Sequence, residues 1–196
     1  AGTDVHTLSG AITLGASSEF QVDAGSITLS ATTAVTTASG KNLTVDGADE
    51  IGPHLALVKG GGGALLREKI VATSSARMVV ITDRSKENTR LGRFPLPVEV
   101  IPFGLEATRR KIARAAESAG CRGALTLRRD RTGHVFVTDS GNHIMDCAFG
   151  AIPDPARLAA VLASVPGVVE HGLFIGVASA VIIADANGIE VMGDLG

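Results

Sequence analysis

Tryptophan and tyrosine are absent from the 196 residues, and six phenylalanines are the only aromatic side chains. Such a chain lacks the flat platforms on which single-stranded nucleic acids stack. Cysteine is scarce too: Cys121 and Cys147 stand in unrelated contexts, which reads as two reduced thiols rather than a disulfide. Neither sign of charge dominates, since 18 Lys and Arg face 20 Asp and Glu, and the pI is about 6.2. That balance disfavours nucleic acid and anionic membrane surfaces. Apolar runs fall well short of the ~20 residues a membrane span needs, and no basic stretch followed by an apolar one opens the chain as a secretory signal would. The expectation is a cytoplasmic protein with neither nucleic-acid nor membrane partners.

What is there describes a globular chain. Hydrophobic residues make up 45%, mean hydropathy is +0.29, and the length suits one large domain or two small ones. Residues 1–42 differ from the rest: their charged side chains are Asp4, Glu19, Asp23 and Lys41, with no arginine. Three related segments run through them, SGAITLGA, AGSITLSA and SGKNLTVDGA, with Gly10, Gly25 and Gly40 at a constant spacing of fifteen. Period-two alternation around Ile-Thr-Leu marks short strands followed by small-residue turns. This resembles the β-solenoid repeat of bacterial surface haemagglutinins and phage fibres, and it predicts an atypical N-terminal segment, irregular or separately packed.

From residue 43 the pattern becomes that of an α/β protein. A short apolar strand at 43–45 ends in Asp46 and Asp49; a second apolar run ends in Lys59; Gly60, Gly61, Gly62 and Gly63 then lead into a helix carrying Glu68. Ligands of open α/β sheets bind beyond the C-terminal ends of the strands. A glycine-rich turn before a helix presents backbone N–H groups and a positive dipole end, which suit an anion or oxyanion. The segment therefore fits a small, oxygen-rich substrate.

Further along, helices are expected at 65–72, 105–118 and 155–164. Strands are expected at 77–82, 98–101, 124–127, 135–138, 144–147, 168–174, 180–184 and 189–192. Pro95 and Pro97 mark a boundary. The strand–helix–strand–strand–helix order after them suggests a small ferredoxin-like α+β lid on a Rossmann-like, doubly wound sheet. The domains expected are 1–42, then 43–96 with 172–196, then the lid at 97–171.

Six segments in order, DGADE, KGGGGALLREKI, ITDRSK, FPLPVEVIPFG, TDSGNHIMDC and PGVVEHGLFIG, together resemble the type A ribose-5-phosphate isomerase family over about residues 43–192. The resemblance implies a sugar-phosphate isomerase of the pentose phosphate pathway, interconverting D-ribose 5-phosphate and D-ribulose 5-phosphate through an enediolate with no cofactor, as a homodimer or homotetramer. By that resemblance Glu68 is the proton acceptor. Asp46 and Asp49 orient the sugar hydroxyls, and Lys59 stabilises the enediolate. Gly47, Ala48, Gly60, Gly61, Gly62 and Lys86 complete the substrate contacts. The chemistry agrees, because moving a proton between adjacent carbons needs a carboxylate base, donors for an oxyanion and groups that shuttle hydroxyl protons.

Plainer roles stand beside these: Glu68 as a solvated helix residue, Asp-Gly as a turn after a strand, Lys86 as a surface lysine. The family's Gly-Thr-Gly-Ser-Thr phosphate loop is not found; LGASS, with Ser17 and Ser18, is its nearest counterpart. Two other functions compete, a sugar-phosphate sensor without turnover and an inactive chimera of isomerase and repeat. His143, Asp146 and His171 match no metal-ligand spacing, and Cys147 has no base partner that would make it a nucleophile.

Overall fold

A computed structural model describes residues 6–7, 12–14, 27–28, 33–37, 42–186 and 188–195, with side chains from residue 43 onward. Its elements in chain order are β1 (His6–Thr7), β2 (Ile12–Leu14), β3 (Ile27–Thr28), β4 (Thr33–Thr37), β5 (Asn42–Asp46), β6 (Glu50–Ile51), β7 (Leu57–Val58), α1 (Leu65–Ser74) and β8 (Arg77–Asp83). There follow β9 (Leu96–Val100), α2 (Leu105–Ser118), β10 (Ala124–Leu127), β11 (His143–Ala148), α3 (Pro155–Ala163), β12 (Val168–His171), β13 (Leu173–Phe174), β14 (Ala180–Asp185) and β15 (Gly188–Gly193).

The largest sheet has the order β15-β14-β8-β5-β4-β2. Its centre is parallel, with β5 on β8 and β8 on β14, as expected of apolar strands such as Met-Val-Val-Ile that are covered rather than half exposed. Asp46 closes β5 opposite Val80 of β8, which puts its carboxylate at the C-terminal end of a central strand. The apolar layer beneath is Ile51, Leu57, Ala72, Met78, Val80, Phe174, Val181 and Ile183.

A second sheet has the antiparallel order β10-β11-β9-β12. With α2 and α3 it makes the β-α-β-β-α-β arrangement of ferredoxin-like units. Helix α2 buries Thr108, Ile112 and Ala116, one face at four-residue spacing. Helix α3 starts on Asp154, which accepts from the Arg157 N–H at 2.9 Å, with Pro155 in the first turn where no N–H is needed. A larger apolar cluster, including Leu96, Val98, Ile112, Met145, Leu158 and Leu162, fills this unit. The small sheet β13-β7-β6 takes two strands from between β5 and β8 and one from between β12 and β14, and Lys59 follows directly on β7.

Three expectations need correction. Residues 168–174 form two strands in different sheets, because the chain changes partner at Gly172. Its N–H donates to the Pro97 carbonyl and its carbonyl accepts from the Lys59 N–H, both at 2.8 Å. A Cβ there would stand 2.2 Å from the Lys59 oxygen, so only glycine fits. Residues 135–138 are a loop with one isolated bridge, Arg129 to Val135. There the Asp130 carboxylate closes a tight turn by accepting from the Thr132 and His134 N–H groups, and the chain turns again after Thr138. Finally, the N-terminal segment is not wholly separate. Strand β4 pairs antiparallel with β5, and β2 parallel with β4, so they extend the main sheet and cover the β5 edge, while β1 and β3 pair with each other. Ser17 and Ser18 lie outside the described residues.

Candidate active site

Local chain chemistry gathers the site. Strand β5 delivers Asp46, and the turn through Gly47 and Ala48 leads to Asp49 and β6. The Asp49 N–H donates back to the Val58 carbonyl at 2.9 Å, which brings Lys59 beneath the same turn. Lys59 is 3% exposed. A cation so deep must be paired, and this one is: its Nζ lies 2.9 Å from Asp46 Oδ2 and 3.2 Å from Glu68 Oε2, and it donates to the Gly47 carbonyl.

The glycine loop is fixed from three sides. Gly60 and Gly63 hold positive φ, 102° and 91°, and the Gly63 N–H closes the turn on the Gly60 carbonyl. The Gly61 N–H donates to Asp49 Oδ2 at 2.7 Å. Arg128, from the second sheet, donates to the Gly60 and Gly61 carbonyls at 2.9 and 3.0 Å while its other nitrogens grip Asp146. Phe136 lies so close over Gly63 that a Cβ would come within 2.5 Å of the ring, whereas nothing lies near Gly62. The open face of the loop is thus at Gly62, ahead of α1 and its first-turn Glu68.

Burial raises the pKa of Glu68 above the ordinary carboxylate range. The Lys59 ammonium opposes that shift, and the charges of Asp46 and Asp49 add to it. A carboxylate so placed accepts a proton more readily than one in water, which is the property a general base needs.

Of the residues expected at the site, Asp46, Gly47, Asp49, Lys59, Gly60, Gly61 and Glu68 form one bonded cluster with Gly62 at its mouth. Ala48 packs instead against the apolar layer around Ile51 and Phe174. Lys86 stands to one side, in a single turn after β8, and shares a cleft of about 260 Å³ with Asp49. Sequence reasoning missed Arg128, Phe136, Phe174 and Lys69. None carries a local signal, because each comes from a distant part of the chain or, for Lys69, bonds to the distant strand β12. Lys69 is bonded to Glu170 Oε1 and the His171 carbonyl, both at 2.6 Å. Asp146 is thus held by Arg128 and His171 by Lys69's surroundings. Among the described residues no group of three His, Cys, Asp or Glu side chains is placed to hold a metal ion.

An α/β chain with a lysine clamped between two carboxylates beside a glycine loop has the equipment of an acid–base enzyme for a small polar substrate. The comparisons are more specific. The family model for ribose 5-phosphate isomerase A (phosphoriboisomerase A) matches residues 11–188, and the chain belongs to that family. The match begins inside the segment that resembled a surface-protein repeat, so the family extends further toward the N-terminus than the resemblance over residues 43–192 implied. A ribose-5-phosphate isomerase A of Rhodopseudomonas palustris is 60% identical over 151 residues, covering 77% of this chain; the chain spans 65% of that relative's length. The ribose 5-phosphate isomerase of Plasmodium falciparum superposes with a TM-score of 0.73 at 32% identity, over 83% of this chain and 71% of that one. A D-ribose-5-phosphate isomerase solved with phospho-erythronic acid gives 0.71 at 32%, over 82% and 69%.

Proposed function

We propose that this chain interconverts D-ribose 5-phosphate and D-ribulose 5-phosphate, with Glu68 as the base. The observation that carries the reading is the Asp46–Lys59–Glu68 cluster facing an open glycine loop. In the open-chain aldose, Glu68 takes the proton from C2 and the C2–H electrons form the C1–C2 double bond. The carbonyl electrons move onto O1, which becomes an enediolate oxygen. Lys59 supplies the nearby positive charge that stabilises this oxygen. The C2 hydroxyl proton then passes to O1, the C2 carbonyl forms, and Glu68 returns its proton to C1, giving the ketose with Glu68 regenerated. Asp46 and Asp49 accept from sugar hydroxyls, and Lys86 faces the phosphate end. The sequence of steps asks for no cofactor.

Residues 97–171 act as a lid in this reading, since Arg128 and Asp139 reach from them to the glycine loop and to Arg67 of α1. The names of the relatives support the substrate, and the phospho-erythronic acid bound by one of them is a phosphorylated sugar acid of similar size. A sensor would have no use for a desolvated carboxylate, which disfavours the non-catalytic reading. No described helix is long and apolar enough to cross a membrane. The enzyme proposed is a cytoplasmic homo-oligomer, as the family resemblance implies. The test is incubation with D-ribose 5-phosphate while the ketose is followed. Formation of ribulose 5-phosphate with deuterium entering from D2O is expected; a folded chain that forms none would contradict the proposal.

A further inference from the structure

The cleft of about 260 Å³ beside Asp49 is lined by two cations, Lys86 and Arg93, together with Glu50, Ser85 and Asn88. Neither cation forms a salt bridge with a described residue; Lys86 only influences Asp83 through its charge. The backbone that carries both is held by Glu50, which is 2% exposed. Glu50 Oε1 accepts from Asn88 Nδ2 at 3.1 Å, and the same nitrogen donates to the Lys86 carbonyl at 3.2 Å. Glu50 Oε2 accepts from the Gly92 N–H at 2.8 Å. One buried carboxylate thus ties the chain after Lys86 to the chain before Arg93.

The Arg93 side is pinned further. Gly92 has φ 112°, and a Cβ there would stand 3.0 Å from the Ala151 backbone. The neighbouring Leu91 is buried and its carbonyl accepts from the Ile152 N–H at 2.8 Å. Loops pinned in this way hold their side chains ready for a ligand and lower the ordering cost of binding. A lysine and an arginine without salt-bridge partners, on one rigid rim, suit a doubly charged oxyanion, and a guanidinium can meet two phosphate oxygens at once.

We infer that Arg93 is a second cation of a phosphate-monoester subsite shared with Lys86, and that Glu50 is the positioning residue beneath both. The inference rests on the sugar-phosphate reading of the site and deepens it: Asp49, on the same cleft, takes hydroxyls while Arg93 and Lys86 take the phosphate. The test is calorimetric titration of the full chain with inorganic phosphate, alongside Arg93→Gln, Arg93→Lys and Glu68→Gln.

Arg93→Gln should bind phosphate roughly ten- to a hundredfold more weakly, the loss of one charge-assisted contact. Arg93→Lys should recover part of that loss, and Glu68→Gln should bind as the unaltered chain does. Because Arg93 is exposed, its variants should melt with the unaltered chain. In turnover the Arg93→Gln loss should appear in KM for ribose 5-phosphate rather than in kcat. Equal phosphate affinity in Arg93→Gln, or no phosphate binding by the unaltered chain, would overturn the inference. Phosphate binding that weakens in Arg93→Gln, in a chain that forms no ribulose 5-phosphate, would sink the isomerase reading and leave the subsite standing.

Discussion

Two lysines lie near the Phe174 ring, the buried Lys59 at 5.5 Å from its centre and the partly buried Lys69 at 4.9 Å, yet the two clusters differ in kind. Lys69 has one carboxylate partner, Glu170, and a carbonyl cap from His171. One charge meets one charge, and the bond ties α1 to β12. Lys59 has two carboxylate partners, Asp46 and Glu68, in a more deeply buried space. There one ammonium is shared between two acids, and burial, with the charges of Asp46 and Asp49 adding to it, leaves Glu68 with its pKa raised against the pull of Lys59. Burial and shared charge together separate a structural clamp from a group poised to accept a proton. Glu68 and Lys69 are adjacent in sequence, so α1 presents one to each cluster on successive positions of a turn.

Removing each lysine sharpens the contrast. Lys59→Met leaves Asp46 and Glu68 buried without a counter-charge, and should cost about 3–5 kcal/mol of stability together with most of the activity. Thermal or denaturant melts and kcat measure the two losses. Lys69→Met leaves only Glu170, which reaches solvent, and should cost about 1–3 kcal/mol while kcat stays close to that of the unaltered chain. Equal effects on kcat would erase the distinction between the clusters.

The two clusters should also differ in their response to pH. The folded chain holds the Glu68 proton more tightly than the unfolded chain does. The stabilisation from Glu68 is therefore full below its ordinary value of 4.5 and is lost as pH rises through the higher folded value. Activity runs the opposite way, because the base must be ionised: kcat should fall on acidification through a limb above the ordinary carboxylate range.

His171 is pushed down to about 4, mainly by burial and then by the Lys69 charge. A depressed histidine stabilises the fold above its unfolded value of 6.5, and that contribution is lost as pH falls toward 4. Melts of His171→Asn should accordingly lose less stability between pH 6.5 and 4 than the unaltered chain does. The smallest effect is expected at the Arg67–Asp139 pair, 3.0 Å apart with both side chains more than half exposed. Arg67→Ala should change stability by less than about 1 kcal/mol, by the same melts.

The clustered part of this design was legible in the sequence because Asp46, Asp49, Lys59 and Glu68 fall within one short stretch of strand, turn, glycine loop and helix. Helix 105–118 and strand 77–82 were equally plain, since their apolar positions repeat at helical spacing or run unbroken through a buried strand. What escaped was everything decided by distant contacts. Arg128 looks like any basic residue in LTLRRD, and only the packing of the second sheet brings it to Gly60 and Gly61. Gly172 looks like a strand interior until the Lys59 carbonyl is placed against it. The β5 edge is covered by β4, whose Thr-rich alternation suits an antiparallel partner outside the parallel centre.

The account stands most directly on the Glu68 carboxylate, so the decisive measurement is kcat for ribose 5-phosphate in Glu68→Gln together with its melting temperature. The prediction is a kcat lower by roughly 10²- to 10⁴-fold, the usual contribution of a positioned base, in a protein at least as stable as the unaltered chain because a desolvated charge has been removed. A Glu68→Gln chain that turns over substrate at the original rate, or that loses activity only because it unfolds, would contradict it.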